Sequence, residues 1–280
     1  MSRKDETTAI AKTAEEKLAA RQQVAKEIEG IVSECGMLAI RGQAPLVQAL
    51  QLADGIQRMR EVLSLAVVEK YFMPLQGSPL GFVTDRDNPK DGQSPGYPAA
   101  VVRDVSIEAF MRGFRTIGNE MNIIAGRFYA AKAGFERIVG EFPGLTELRY
   151  ELGVPESGPN GTSLVSFDVS WKLYGVDDVM SGRPAKDGSI DSRIIVRMNN
   201  GMGPDAALGK ATRKLFARIY IRLTGCSRDI EADPKDYIEA SGATVPTAMN
   251  GAAGQRMSLR RDAQPPADPP AERMREPGED

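Results

Sequence analysis

A chain of 280 residues with 41% hydrophobic content can build one large domain or two small ones around a real core. Its 36 basic and 38 acidic residues leave a net charge of −2, which excludes a uniformly basic coating protein and leaves polyanion binding to charge segregation. The absence of histidine removes His-dependent triads, His metal ligands and His general bases.

Residues 5–34 read as a charged helix rich in Ala, Glu, Lys and Gln. Its apolar positions Ile10, Leu18, Val24, Ile28 and Ile31 align only loosely, as in an arm that is solvated or packed on a partner. Cys35, just beyond it, and Cys226 form no metal or redox motif and fit a reducing compartment. The N-terminal stretch is charged throughout and no apolar run approaches a membrane span, so a cytoplasmic protein without a membrane segment is expected.

Residues 45–73 predict a stronger helix, with Leu46, Leu50, Leu52, Ile56, Met59, Leu63, Val67 and Tyr71 on one face and Pro74 as the stop. Gly55 is a candidate bend. Residues 76–100 read as a long loop, and a helix is expected from Ser106 to Ile117. Short strands are expected at Met121 to Ala125 and Arg127 to Ala130 around Gly126, then a helix over 131–142 that ends at Pro143-Gly144.

Leu145 to Val154 reads as a strand, and residues 163–174 give the clearest one. There Val165, Phe167, Val169, Trp171 and Leu173 alternate with Ser166, Asp168, Ser170, Lys172 and Tyr174. Asp177 to Gly188 reads as a polar connection, and Arg193 to Met198 as the last strand.

Pro204 to Gly225 predicts one helix, opened by Pro204 and Asp205 and closed by Gly225. Leu208, Ala211, Leu215, Ile219 and Leu223 share an apolar arc; Lys210, Arg213, Lys214 and Arg218 share the opposite one, with Arg222 near the boundary. Asp205 is the only acid in this segment, so its cations are candidates for backbone phosphates of an extended strand. Beyond about residue 230 the chain is polar and proline-rich and should be disordered.

This order predicts an α+β fold: a small, mostly antiparallel sheet packed with helices, an N-terminal helical arm and a disordered C-terminal tail. The expected regions are a helical assembly region over 1–75, a loop over 76–100, the binding core over 101–230 and the tail over 231–280.

Further candidates for a phosphate surface are Arg112, Arg115, Arg127, Lys132, Arg137 and Lys172, with Phe128 or Tyr129 placed to stack a base. Trp171 shares its strand face with Val169 and Leu173 and reads as core. No glycine-rich segment matches a nucleotide-binding loop, so ATP has no support. The acids Asp168, Asp177, Asp178 and Asp191 lack a recognisable nuclease spacing.

The segments A-K-A-G-F-E-R-I-V at 131–139 and G-K-A-T-R-K-L-F-A-R-I-Y at 209–220 resemble the RecT/Redβ superfamily of phage single-strand annealing proteins. The likeness covers roughly residues 100–225. The first segment is similar to the family's aromatic, basic, glycine and large apolar run into a helix; the second is similar to its late basic helix.

The resemblance implies ATP-independent annealing of complementary DNA strands on a homo-oligomer, in a bacterial cytoplasm. It implies phosphate contact for Lys132, Lys210, Arg213, Lys214 and Arg218. It implies no catalytic residue, no metal site and no cofactor, with Mg²⁺ only as a counter-ion of DNA. A host single-strand-binding protein or a phage exonuclease is the implied partner. Two other readings remain open: an adaptor whose basic helix binds an acidic partner, and a metal-dependent nuclease using the Asp168–Asp191 acids.

Overall fold

The computed structural model describes residues 3–86, 96–184, 191–199, 201–226 and 228–232. The centre of the expected 76–100 loop and the expected tail beyond 232 lie outside these residues.

The first element, α1 (Arg3–Cys35), is one helix of 33 residues. Residues 15–23 and 25–27 are exposed, Leu18 among them at 52%. Ile31 and Cys35 are buried. They face α3 (Pro45–Val62), which follows the short α2 (Met37–Ile40). Glu34 meets Arg58 and Cys35 lies beside Gly55, so α1 and α3 run antiparallel. A Cβ at Gly55 would stand 2.5 Å from Cys35 Cβ and 2.7 Å from Met111 Cε. Gly55 therefore marks a close approach inside an unbroken helix.

The break comes later, at Leu63–Ser64. The Ser64 hydroxyl accepts from the Val67 N–H at 3.4 Å and caps α4 (Leu65–Tyr71). Leu46 and Leu50, expected on the core face, are 72% and 64% exposed, because the first turns of α3 extend past the end of α1.

The next helix, α5 (Ala99–Met111), starts directly after Pro98 rather than at Ser106. Pro98 supplies the extended N-cap backbone, so Ser106 falls mid-helix and is fully buried. Gly113 at φ 86° ends the run that was expected to reach Ile117. Strands β1 (Met121–Ile124) and β2 (Arg127–Ala130) form a hairpin through Ala125 and Gly126, whose φ values of 51° and 73° suit a two-residue primed turn. α6 (Lys132–Gly140) follows as expected.

Among the described residues, two three-stranded antiparallel sheets complete the fold. One has the order β3-β6-β7, with β3 (Leu145–Leu152), β6 (Phe167–Leu173) and β7 (Val176–Gly182). The other has the order β4-β5-β8, with β4 (Glu156–Ser157), β5 (Thr162–Val165) and β8 (Ile194–Arg197). The single strand expected over 163–174 thus divides at Ser166 and serves both sheets. Its alternation survives the switch, with Val165, Phe167, Val169 and Trp171 all buried.

The expected polar connection from Asp177 is instead β7, paired with β6 from Leu173↔Val176 to Phe167↔Gly182. The turn that allows it is Tyr174-Gly175, with φ values of 51° and 83°.

The last helix, α7 (Pro204–Thr224), ends at Gly225 in the left-handed region, as expected. It packs on α6, β3, β5 and β8. Residues 228–232 form a 3-10 turn and its exit, and Ile230 is only 3% exposed. The core thus reaches Ile230, the last residue of the expected binding core. One hydrophobic cluster runs from Ile31 to Ile230 and includes Met59, Phe114, Phe135, Trp171 and Tyr220, so the helices before residue 75 share the core of the later region. Phe114 packs edge-on against Phe128 at 5.2 Å and Phe135 at 5.3 Å, contacts worth about 0.5–1.5 kcal/mol each beyond area burial. Among the described residues no helix is long and apolar enough to cross a membrane.

Candidate nucleic-acid interface

The α7 helix is buried around most of its circumference, including Ala207, Thr212, Arg213, Phe216, Ala217 and Tyr220 outside the expected apolar arc. Its basic stripe is correspondingly engaged. Lys210 Nζ donates to the Arg197 carbonyl at 3.2 Å, Lys214 Nζ to the Ile195 carbonyl at 2.9 Å, and Arg218 Nη1 to the Ser192 carbonyl at 3.1 Å.

The spacing explains the match. Four helical residues rise about 6 Å and two strand residues about 6.7 Å, so cations at every fourth position meet carbonyls near every second one. β8 pairs with β5 on one side only, and α7 covers its other edge with cationic donors. Much of the segregated charge seen in the sequence therefore protects a sheet edge.

Arg213 differs. It is 5% exposed. Its Nε donates to the Ala130 carbonyl at 3.0 Å, Nη1 to Glu231 O at 3.3 Å, and Nη2 to Ile230 O at 3.2 Å and Ala232 O at 3.1 Å. Its guanidinium carbon lies 4.2 Å from the centre of the Tyr129 ring. No carboxylate among the described residues pairs with it. Among the described residues, carbonyls orient this cation without neutralising it. Arg218, about one turn on, donates Nε to Glu231 Oε1 at 2.9 Å.

Tyr129 and Arg127 occupy the same face of β2, because Phe128 and Ala130 point inward. Arg127 is exposed beside the hairpin turn. A partly buried clamp holds that turn. Asp85 Oδ2 accepts from the Ala125 N–H at 3.0 Å, and Tyr97 Oη accepts from the Gly126 N–H at 2.8 Å while donating to Asp85 Oδ1 at 2.7 Å. Burial, then Asp85, pushes the Tyr97 phenol up to about 12. Arg86 stacks over the Tyr97 ring at 4.3 Å.

No family model, no curated protein and no solved structure matches this chain.

The remaining candidates separate from this patch. Phe128 is 4% exposed and belongs to the core, so it cannot stack a base. Arg137 is held by Glu120 at 2.6 and 2.7 Å, Glu141 at 3.0 Å and the Gly113 carbonyl at 2.7 Å. Burial opposes its charge, yet the two glutamates hold its pKa above the ordinary value. Arg115 lies 3.7 Å from Glu141, and Arg112 lies 3.0 Å from Glu108 and stacks over Phe128. Lys132 pairs with Glu136, Lys172 with Glu147 and Arg222 with Asp178.

Three of the four acids named for a nuclease are engaged: Asp168 with Arg183, Asp178 with Arg222 and Asp191 with Arg193; Asp177 stands on β7 opposite Lys172 of β6. The structure thus brings Tyr129, Arg213 and Arg218 together, with Arg127 on the same face of β2 as Tyr129. It adds Arg86, the Asp85–Tyr97 clamp and Glu231, which no linear pattern marks because their partners lie far away in sequence.

Proposed function

We propose that this protein binds single-stranded DNA and pairs complementary strands without ATP, in the manner of the RecT/Redβ annealing proteins that two of its segments resemble. The observation that carries the reading is Arg213, a buried cation with carbonyl neighbours but no carboxylate among the described residues, lying over Tyr129, whose strand face also carries the exposed Arg127. Arginines serve phosphates and an aromatic face serves any base, so such a patch grips a strand without reading its sequence. Arg218 extends it along α7.

Annealing needs no covalent step: screening phosphate repulsion and ordering two strands is enough. One short patch grips few nucleotides, so assembly supplies the rest by avidity. The projecting part of α1 and the exposed Leu46, Val47 and Leu50 at the start of α3 are the proposed assembly elements.

The test is a labelled single strand titrated with protein, with and without Mg²⁺, followed by fluorescence-monitored pairing of complementary oligonucleotides. Binding without cleavage and ATP-independent pairing support the reading. Cleavage favours a nuclease, and no binding favours an adaptor.

A further inference from the structure

Arg213 and Arg218 share one design. Each keeps a donor on the scaffold: Arg213 Nε on the Ala130 carbonyl at 3.0 Å, and Arg218 Nη1 on the Ser192 carbonyl at 3.1 Å. Each turns its other donors to the segment after α7. The Nη1 and Nη2 fork of Arg213 takes the carbonyls of Ile230, Glu231 and Ala232, and Arg218 Nε takes the Glu231 carboxylate at 2.9 Å.

The segment thus presents the two guanidinium groups with clustered carbonyl oxygens and a carboxylate. Those are the features of a phosphodiester that an arginine fork recognises: several acceptor oxygens close together, one side of them anionic. Stripped of this segment, Arg213 would remain oriented by Ala130 and by the Tyr129 ring 4.2 Å away, with its fork open.

We propose that residues 228–232 are an internal stand-in for nucleic-acid phosphate, and that a bound strand displaces them from Arg213 and Arg218. The proposal rests on the reading of this patch as the strand-binding site. It makes the segment a competitor: apparent affinity is lowered by the fraction of molecules in which it is docked. Ile230, 3% exposed, is the apolar anchor that sets that fraction. Glu231 is the anionic half of the mimic.

The test uses full-length protein and a labelled oligothymidine. Glu231→Gln leaves the segment its carbonyls but removes its charge; Ile230→Asn with Glu231→Gln also removes the anchor. Affinity should tighten about threefold in the first and about tenfold in the second, the gain expected when a charge-assisted contact no longer competes. Circular dichroism establishes that each variant is folded.

A second measurement needs no variant: trypsin cleavage after Arg228 of the wild-type chain, identified by mass, should accelerate when the oligonucleotide is added. Unchanged or weaker binding by the folded variants overturns the proposal, as does strand binding that leaves cleavage after Arg228 unaltered or slower. Failure of every folded chain, wild type included, to bind the strand overturns the reading of the site itself.

Discussion

Arg137 and Arg213 are both guanidinium groups sunk into the protein, and their surroundings differ in one respect. Around Arg137, Glu120 and Glu141 accept its charge, and Glu120 also accepts the Arg115 N–H at 2.9 Å. Around Arg213 the acceptors are carbonyls and the neighbouring face is Tyr129. The first region is a closed ion-pair network with its electrostatics satisfied. In the second, carbonyls hold Arg213 and the Glu231 carboxylate pairs with Arg218 alone among these two cations, so no carboxylate among the described residues pairs with Arg213 itself. An arginine's partners, more than its place in a basic stretch, separate scaffold from candidate site.

The largest effect should come from opening the closed network. Arg137→Ala leaves Glu120, 8% exposed in its side chain, without its bidentate partner. A loss of about 3–5 kcal/mol is expected in urea unfolding, with strand affinity of the folded fraction unchanged. Lost affinity without lost stability would erase the distinction between the two regions.

Arg213→Lys retains the charge but gives up the fork and the ring stacking. About tenfold weaker strand binding is expected from anisotropy titration, with a smaller stability loss of about 1–2 kcal/mol. Equal binding by the lysine variant would show that the open region works as a point charge.

A third expectation concerns the clamp beneath Arg127. Tyr97 is held neutral up to about 12. Its contribution to stability is whole below the ordinary phenol value of about 10 and is lost as pH rises through about 12. Tyr97→Phe should cost about 1–2 kcal/mol at neutral pH and flatten the alkaline fall between those limits, read from unfolding midpoints against pH. Tyr220, whose phenol burial and Cys226 also push up, remains in that variant and sets the residual slope.

The smallest effects belong to the surface pairs. Lys172→Ala and Arg222→Ala each remove an exposed partner of Glu147 or Asp178. A change within about 0.5 kcal/mol and no change in strand binding are expected from the same two assays.

Much of the fold was legible in the sequence because local signals and burial agree. Pro204 and Gly225 bound α7, the Ala125-Gly126 turn separates β1 from β2, and alternation from Val165 to Trp171 marks the buried face. The misreadings have local causes. Ser64 caps a helix inside an apolar pattern that continues across it, and Tyr174-Gly175 turns the chain into a strand whose V-D-D-V-M run does not alternate.

The candidate site was legible only in part. Arg127, Tyr129, Arg213 and Arg218 stand out as residue types, but charge segregation along α7 cannot tell a cation that covers β8 from one held by the segment after the helix. That difference depends on which carbonyls and carboxylates fold back onto the helix, as Arg197, Ile195 and Glu231 do.

The central claim is that the Arg127–Tyr129–Arg213–Arg218 patch grips a single strand through its phosphates. The direct measurement is oligothymidine affinity across a salt series for the wild type and for Arg127→Ala, an exposed change that leaves the core untouched. With three arginines engaged, a log–log slope near −2 is expected for the wild type, shallower by about 0.7 for the variant. A salt-independent affinity, or a variant whose slope and affinity both equal the wild type's, would contradict it.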